Sequence, residues 1–525
     1  MRDGDIAAPN ARRDGLLLFC LALVVRLAVA AFVPQPGYMD SAYYAAGAAQ
    51  LARGGGLCEP FLWNYLDDPA GIPHPGFLYW MPLPSLLAAP FAVLVPGSFF
   101  ALQLPFATLS ALLPLVAYGL AWQTVERRRA AWLAGLFTLF SGFFFPFWTL
   151  PETFAPYALF GSLALWLAGG KMREAENGQY AISLFVGLLV GLAHLTRADG
   201  ILLLPVVVLV PLISSKSRIK HHASRITVVI FGYLLVMAPW FLRNLSVTGA
   251  PLSPAGTKTL WLTDYDDLFC YGCDLSLRFY LAWGWDNILH SKLFALWANV
   301  QRFLAEDCLI FLFPLVIVGL YRLRRRPSFF LAIIYFFLIY LTHSLAFTFP
   351  GWRGGFFHAS GVLLPFLYAA AVEGLDAVVG WAARRRRNWN RRQAQAVFVA
   401  AVVLGAVVLS AYAMVEKLLV WRDTDLIYKE ADHWLAQQKA EIAVVMVDNP
   451  PAFWYHTGRP AVVVPNGGPD TLLAAADRYG VQYVLLDPNR PAPLARLYDG
   501  TTSHPRLRPV ATWKDEGAIL YIIER

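Results

Sequence analysis

The stretch "LLLFCLALVVRLAVAAFVP" (residues 16–34), with "GYMDSAYYAAGAAQLARGGG" (37–56) close behind it, decides the fold class. About 20 apolar residues cross the ~30 Å hydrocarbon core of a bilayer, so the first segment predicts a membrane helix. The second presents one acid, Asp40, then Tyr43 and Tyr44. The sequence therefore raises two questions: how many such helices there are, and what a carboxylate does immediately outside the first.

The composition extends the membrane interpretation to most of the chain. Of 525 residues, 58% are hydrophobic and 15% are charged, with a mean hydropathy of +0.49. Soluble domains are about a quarter charged, so these values predict a polytopic membrane protein. The net charge of +8 lies in short basic runs between apolar segments, which argues against nucleic-acid binding. Five cysteines are too few for a disulfide scaffold.

Apolar runs predict about eleven membrane-spanning helices. The start of the chain has no small-residue cleavage site, so we expect a retained first helix and an N-terminus inside the cell. The predicted spans are 16–34, 99–123, 130–149, 154–170, 179–197, 199–214, 226–243, 297–320, 328–347, 356–379 and 395–417.

The short basic loops support this orientation, because Lys and Arg concentrate on the cytosolic side. With the N-terminus inside, the cytosolic loops are "ERRR" (126–129), "KMRE" (171–174), "KSRIKHHASR" (216–225), "YRLRRRP" (321–327) and "RRRRNWNRR" (384–392). Residues 35–98, residues 244–296 and the tail then face the outside.

Residues 77–97, "FLYWMPLPSLLAAPFAVLVPG", are apolar enough to cross the bilayer but contain four prolines. If they crossed, every later basic loop would face out. We therefore predict a juxtamembrane helix on, or dipping into, the outer leaflet.

The composition changes near residue 418, which predicts two domains, 1–417 in the membrane and 418–525 outside it. Short β-branched runs alternate with helical stretches in the tail, as expected for a small α/β domain with a mainly parallel sheet. The predicted strands are 442–448, 461–465, 481–487 and 518–524. No phosphate-binding or dinucleotide-binding glycine motif is present.

Asp40 has two interpretations. A carboxylate at the outer mouth of a bundle can act as a general base, and Asp is also a favoured helix N-cap. Tyr43 and Tyr44 share its helical face. Taken alone, the two tyrosines are best explained by the aromatic belt at the membrane interface. His74 and Tyr79, in the same outer loop, are candidates for substrate contact.

Several charged residues lie at predicted outer ends of helices, where ionisable groups usually mark function or snorkel to the interface. Arginine binds phosphate through its planar fork, so the arginines among them suggest a phosphate-bearing lipid donor. These residues are Glu152, Arg197, Asp199, Arg243, Arg353 and His358.

The large outer loop contains Cys270 and Cys273, a pair that forms either a small disulfide or, less plausibly, a zinc site. Asp264, Asp266 and Asp267 precede them. These acids suit a solvated loop better than a cation site. The sequence requires no metal or other cofactor and supports a divalent cation only weakly.

The order of these motifs resembles the C-type (GT-C) membrane glycosyltransferases, in particular protein O-mannosyltransferases and the lipid A aminoarabinose transferase. "MDSAYYAAGAAQLARGGG" is similar to the first-loop motif of that superfamily. "HPGFLYWMPLPSLLAAPF", "LTRADGILLLP" and "APWFLRNLSVTGAPLSP" resemble its later segments. The likeness covers most of residues 16–380.

The resemblance implies an enzyme that transfers a hexosyl or pentosyl group from a polyprenyl-phosphate lipid to a protein, lipid or glycan. It implies a location in the plasma or inner membrane, with chemistry on the outer side. Asp40 would be the base or acceptor-orienting acid, and Arg197, Arg243 and Arg353 would bind the lipid phosphate. Many relatives have an Asp-Glu pair where this chain has Asp40-Ser41, so the identity of a second acid stays open.

Two other classes of function fit the sequence less well than a glycosyltransferase. A transporter or lipid flippase usually shows internal repeats and helices interrupted near the bilayer midplane, and no convincing repeat is present. A sensor whose outer α/β domain binds a ligand would not require an acid and arginines gathered at helix ends.

Overall fold

The computed structural model describes residues 7–172, 180–213, 219–385, 390–440 and 442–524. The chain divides into two compact units. The helical unit comprises Met1–Phe32, Gln103–Leu242 and Lys292–Leu418, and the sheet unit comprises Val33–Leu102, Arg243–Ser291 and Leu419–Arg525.

Helices dominate the structure. The first half contains α1 Ala7–Phe32, α2 Met39–Ala52, α3 Leu83–Leu94, α4 Phe99–Val125, α5 Arg128–Leu139, α6 Phe154–Leu167, α7 Ala181–Thr196, α8 Leu203–Ile213, α9 Ile219–Thr248 and α10 Pro254–Lys258. The second half contains α11 Leu277–Ala282, α12 Trp285–Arg302, α13 Phe313–Leu323, α14 Pro327–Leu341, α15 Thr348–Pro350, α16 Phe356–Ser360, α17 Leu364–Arg385, α18 Arg391–Trp421, α19 Leu426–Gln437, α20 Pro450–Thr457, α21 Pro469–Tyr479 and α22 Ala495–Tyr498.

Within the described residues, six helices are long and apolar enough to span a membrane, or seven if the bent pair 128–139 and 142–149 counts as one span. Five further apolar helices are shorter. The fold is therefore that of a multi-pass membrane protein. The figure of eleven spans and the N-terminus inside the cell stay predictions.

Two predicted spans differ from the structure. Residues 130–149 are divided between α5 and a 3₁₀ helix, Gly142–Thr149, which meet at a bend of 67°. Residues 297–320 do not form one helix, because α12 ends in a π-helical turn at Phe303–Asp307 and α13 begins only at Phe313. Leu309 and Ile310 between them have φ of 50° and 59°, in the left-handed region that ends a helix.

Ion pairs hold two basic segments at the same end of the helical unit. Arg127 in the predicted cytosolic loop 126–129 pairs with Asp376 of α17 at 3.1 Å. Arg322 at the end of α13 pairs with Glu373 of α17 at 2.6 Å. The loops 126–129 and 321–327 therefore share one face, as the predicted topology requires. The predicted cytosolic loops 171–174, 216–225 and 384–392 lie partly outside the described residues.

The sheet unit is built on six strands in the order β2-β5-β4-β6-β8-β7. The strands β2, β5, β4 and β6 are parallel to one another. The strand β8 is antiparallel to β6, and β7 is antiparallel to β8. The strands of the chain are β1 Cys58–Glu59, β2 Phe61–Leu62, β3 His74–Pro75, β4 Val444–Val447, β5 Ala461–Val463, β6 Val481–Leu486, β7 Leu507–Trp513 and β8 Ala518–Ile523.

The sheet adds two strands to those that the sequence predicts. β7 continues the antiparallel edge next to β8. β2 comes from the first outer loop and pairs with β5, Phe61 opposite Ala461. The Tyr65 hydroxyl reinforces this pairing by donating to the Val463 carbonyl at 2.6 Å. The tail and the first loop thus share one sheet and one apolar core.

The proline-rich segment 77–97 contains α3, which has 12 residues. A helix of that length rises about 18 Å, which is too short for the hydrocarbon core. Its buried face lies on α2, where the Ser85 hydroxyl donates to the Tyr44 carbonyl at 3.0 Å. The structure therefore has the short helix that the sequence predicts, and its depth in the membrane stays a prediction.

Candidate active site

Asp40 lies in the first turn of α2, which begins at Met39. Tyr38 occupies the N-cap position in extended conformation and makes no side-chain cap hydrogen bond. The capping interpretation of Asp40 is therefore wrong. The half-buried Asp40 carboxylate instead lies close to the positive end of the helix dipole, which stabilises its charged form.

Tyr43 and Tyr44 are both 1% exposed and meet edge to face at 5.3 Å between ring centroids. The aromatic-belt interpretation is therefore wrong for these two residues, because they form the interior of the first loop. The Tyr43 ring also contacts Trp80 at 4.7 Å, and Trp80 stacks on Trp63 at 4.1 Å. Tyr79, a predicted contact, lies half-buried against Trp63.

Glu59, which was not predicted from the sequence, stabilises this aromatic cluster through hydrogen bonds. Its Oε1 accepts hydrogen bonds from the Tyr43 hydroxyl at 2.5 Å and the Phe77 backbone N–H at 2.6 Å. The residue is 4% exposed. Burial raises the pKa of Glu59, and the charge of nearby His74 and these hydrogen bonds only partly oppose it.

His74 stabilises the same loop through contacts with its backbone. It is buried, and its Nδ1 and Nε2 lie 3.0 Å from the Pro75 and Phe61 carbonyl oxygens. Both nitrogens face acceptors, so both donate only when the ring carries two protons. Glu59 and Asp67 each place a carboxylate oxygen 3.7 Å from the ring.

Arg243, near the end of α9, also holds the loop. Its Nη2 donates to the Gly76 carbonyl at 2.7 Å and to the Leu57 carbonyl at 3.3 Å. These carbonyls flank the paired strands β1 and β3. The guanidinium is therefore committed in part to positioning the loop that follows Asp40.

In the helical unit, Glu152 and His358 form a direct pair. His358 Nδ1 lies 3.0 Å from Glu152 Oε1, and the Thr153 hydroxyl donates to the same oxygen at 2.9 Å. The His358 ring stacks on Phe154 at 4.0 Å. Burial of Glu152 favours its neutral form, but the charge and hydrogen bond of His358 outweigh burial and lower the pKa of the carboxyl.

Arg197 follows α7 and makes a two-point ion pair with Asp199, with both nitrogen–oxygen distances at 3.0 Å. His343, which the sequence analysis missed, approaches the same carboxylate with Nε2 at 3.0 Å. Tyr157, 5.8 Å from the guanidinium carbon, completes the cluster. The charge of Arg197 is therefore already compensated within the helical unit.

Arg353 is exposed and lies in the π-helical turn Gly351–Gly355. Arg302 ties this turn to α12 by donating to the Trp352 carbonyl at 2.8 Å, while its Nη1 pairs with Glu306 at 2.9 Å. π-helical turns are rare in proteins overall, but those that occur are frequently found at functional sites. Arg353 is thus held by its backbone, with its side chain toward solvent.

The predicted site residues are divided between the two compact units. Asp40, Tyr43, Tyr44, His74, Tyr79 and Arg243 belong to the sheet unit. Glu152, Arg197, Arg353 and His358 belong to the helical unit.

Cys270 and Cys273 are joined by a disulfide bond, one of the two alternatives that the sequence allowed. The nearby acids organise the preceding turn. Asp264 accepts from the Asp266 backbone N–H at 2.9 Å, and Asp267 accepts from the Asp264 N–H at 3.0 Å. These contacts favour the loop interpretation of the acids over a cation site.

No protein-family model and no curated protein matches the sequence. Solved structures do match the fold. The oligosaccharyltransferase AglB from Archaeoglobus fulgidus aligns with a TM-score of 0.58 and 13% identity, over 92% of this chain and 70% of that protein. ArnT from Cupriavidus metallidurans aligns with a TM-score of 0.55 and 17% identity, over 96% of this chain and 97% of that protein.

The chain therefore has the GT-C fold of a multi-pass membrane protein, which is the fold that the resemblance implies. The alignment with ArnT extends over nearly the whole of both chains.

Proposed function

We propose that this chain is a membrane glycosyltransferase that moves a sugar from a polyprenyl-phosphate carrier to an acceptor outside the cytoplasm. One observation carries the proposal: in a GT-C fold, the half-buried Asp40 lies in the first turn of the helix that follows the first membrane helix. The related folds add support, since ArnT was solved with undecaprenyl phosphate and AglB with dolichol-phosphate and an inhibitory peptide.

In the proposed reaction, the Asp40 carboxylate takes the proton from an acceptor hydroxyl or amine. The acceptor oxygen or nitrogen forms a bond to the anomeric carbon while the bond from that carbon to the phosphate oxygen breaks. The carrier leaves as polyprenyl phosphate, which keeps the electron pair. A carboxylate in the first turn of a helix is held ionised and is therefore ready to accept a proton.

The leaving phosphate gains negative charge, and guanidinium groups stabilise such charge. Arg353, whose side chain is exposed, is one proposed phosphate ligand. Arg243 and Arg197 are the other two, and part of their hydrogen-bonding capacity is already used, because Arg243 donates to two carbonyls and Arg197 pairs with Asp199. Glu152 and His358 stay proposed substrate contacts.

The test is transfer by the purified full-length protein. It is supplied with a panel of radiolabelled polyprenyl-phosphate sugars and with candidate protein, lipid and glycan acceptors. We expect Asp40→Asn to lower kcat by at least about 100-fold, the scale of a lost general base. The matched control is Asp286→Asn, the same change at an exposed acid in the first turn of α12.

Unchanged transfer in the Asp40→Asn variant would show that Asp40 is not the base. Equal losses in both variants would point to a fold defect. Movement of the sugar lipid across vesicles without transfer to any acceptor would support the transporter or flippase alternative.

A further inference from the structure

A cavity of about 460 Å³ opens in the helical unit, and its lining includes none of the residues proposed for sugar transfer. It is lined by Arg128, Arg129, Trp132 and Leu133 of α5 and by Val399 of α18. Two guanidinium groups and an indole thus accompany a mainly aliphatic wall.

The cavity lies at the ends of membrane helices. Arg128 is the first residue of α5, directly after the candidate span Phe99–Val125. Val399 lies near the start of the candidate span Arg392–Gln437. The ends of membrane-spanning helices meet the headgroup region of a bilayer, so residues at these positions are expected to lie near lipid phosphates.

The charges of the two arginines are balanced differently. Arg128 donates two hydrogen bonds of 2.6 Å to Asp14, a fully buried carboxylate of α1. Arg129 donates to the Gln395 carbonyl at 3.0 Å. Among the residues that the structure describes, none supplies a carboxylate within salt-bridge distance of Arg129. The cavity therefore keeps a net positive charge at its rim.

Each part of the cavity suits part of one ligand. A guanidinium and the N-terminus of a 12-residue helix both attract phosphate. Tryptophan lies favourably at the headgroup level, and Leu133 and Val399 offer a surface for an acyl chain. Basic pockets between membrane helices bind anionic lipid headgroups.

We propose that this cavity binds an anionic phospholipid, with the phosphate on Arg129 and the first turn of α5 and an acyl chain along Leu133 and Val399. The lipid would join the ends of α5 and α18. The proposal is independent of the glycosyltransferase assignment.

The experiment uses delipidated full-length protein and native mass spectrometry, with phosphatidylglycerol as the probe and phosphatidylcholine for comparison. We expect a tighter first binding event for phosphatidylglycerol, weakened about fivefold by Arg129→Gln. The matched control is Arg127→Gln, two positions away in the same basic run, whose side chain pairs with Asp376 and does not line the cavity.

A second variant, Val399→Trp, fills the cavity and keeps its charge. We expect it to remove the tight binding event while thermal unfolding stays close to that of the parent. This variant decides the matter if Arg129→Gln does not fold.

Three results would overturn the proposal. Equal weakening by Arg127→Gln would show attraction to the basic run in general. Equal affinity for phosphatidylcholine would exclude recognition of charge. Displacement of phosphatidylglycerol by millimolar inorganic phosphate would show that the site takes the free anion without need of the lipid.

Discussion

Glu59 in the sheet unit and Glu152 in the helical unit are both buried beside a histidine, yet their pKa values shift in opposite directions. Glu152 makes a direct contact of 3.0 Å with His358. Glu59 lies 3.7 Å from His74, whose ring nitrogens are closer to backbone carbonyls. At Glu152 the contact with His358, the Thr153 hydrogen bond and the charge of Arg197 together outweigh burial. At Glu59 burial outweighs the charge of His74 and the hydrogen bonds, and the charge of Asp67 adds to the effect of burial.

The difference also separates two tasks. Glu59 accepts hydrogen bonds from the Tyr43 hydroxyl and the Phe77 N–H, so it holds the loop that follows Asp40. Glu152 Oε1 contacts His358 Nδ1 and also accepts from the Thr153 hydroxyl, so it helps to orient the imidazole. Glu59 therefore stabilises the structure of its loop, whereas Glu152 interacts electrostatically with His358.

The largest effect is expected for Glu152→Gln. The change removes the counter-charge of His358 in a buried setting, and breaking a buried ion pair costs about 3 kcal/mol or more in the free energy of unfolding. Denaturant titration in detergent measures it. Glu416→Gln serves as the control because Glu416 pairs with Lys417 at an exposed position, where we expect a loss below about 1 kcal/mol. Equal losses in the two variants would contradict direct pairing at Glu152.

A smaller effect is expected for Glu59→Ala. The Tyr43 hydroxyl would lose its acceptor, and the Phe77 N–H would keep only its longer bond of 3.2 Å to the Tyr43 oxygen. An unsatisfied buried donor costs about 1 kcal/mol or more, so we expect a loss of about 1–2 kcal/mol. Glu59→Gln keeps a carbonyl oxygen for these donors, so its loss should stay within about 1 kcal/mol. The same titration compares the two variants. If Gln costs as much as Ala, the charge of Glu59 matters more than its hydrogen bonds.

The smallest expected effect is on the pH dependence of the free energy of unfolding, to which Glu152 and Glu59 contribute with opposite signs. The folded pKa of Glu152 is below the ordinary 4.5, so its stabilisation is present above pH 4.5 and is lost as the pH falls through the folded value. The folded pKa of Glu59 is raised, so stability is complete below pH 4.5 and is lost as the pH rises through the folded value.

Unfolding free energies measured from about pH 2 to about pH 8 test these signs. We expect Glu59→Gln to flatten the profile above pH 4.5 and Glu152→Gln to flatten it below that value. Difference profiles of the same slope in both variants would show that the two histidines act alike.

The sequence made the GT-C fold predictable because apolar runs, basic loops and the first-loop motif all depend on local composition. Asp40, Glu152 and the arginines were visible as charges beside apolar segments. Glu59 was not, since its partnership with Tyr43 depends on the short β1–β3 pairing that returns the chain to α2. His343 lay within an apolar run in which nothing marks a contact with Asp199 across 144 residues.

The break between α12 and α13 illustrates a second limit. Residues 297–320 are apolar enough to suggest one span, although Arg302, the acid pair Glu306 and Asp307, and Pro314 interrupt the apolar run. The chain turns at Leu309 and Ile310 in a left-handed conformation that neither residue favours. Tertiary packing thus overrides local preference, which a pattern of hydrophobicity does not record.

The strand β2 has a consequence for biosynthesis. Tyr65, just after β2, bonds to Val463, 398 positions later in the chain. At about 5–20 residues per second, the first loop would wait about 20–80 s after its own synthesis before β5 exists. During that interval Phe61 and Leu62 have no strand to join. The loop that presents Asp40 is thus completed among the last parts of the molecule, so a ribosome that stops before residue 461 would release a bundle whose first loop is unfinished.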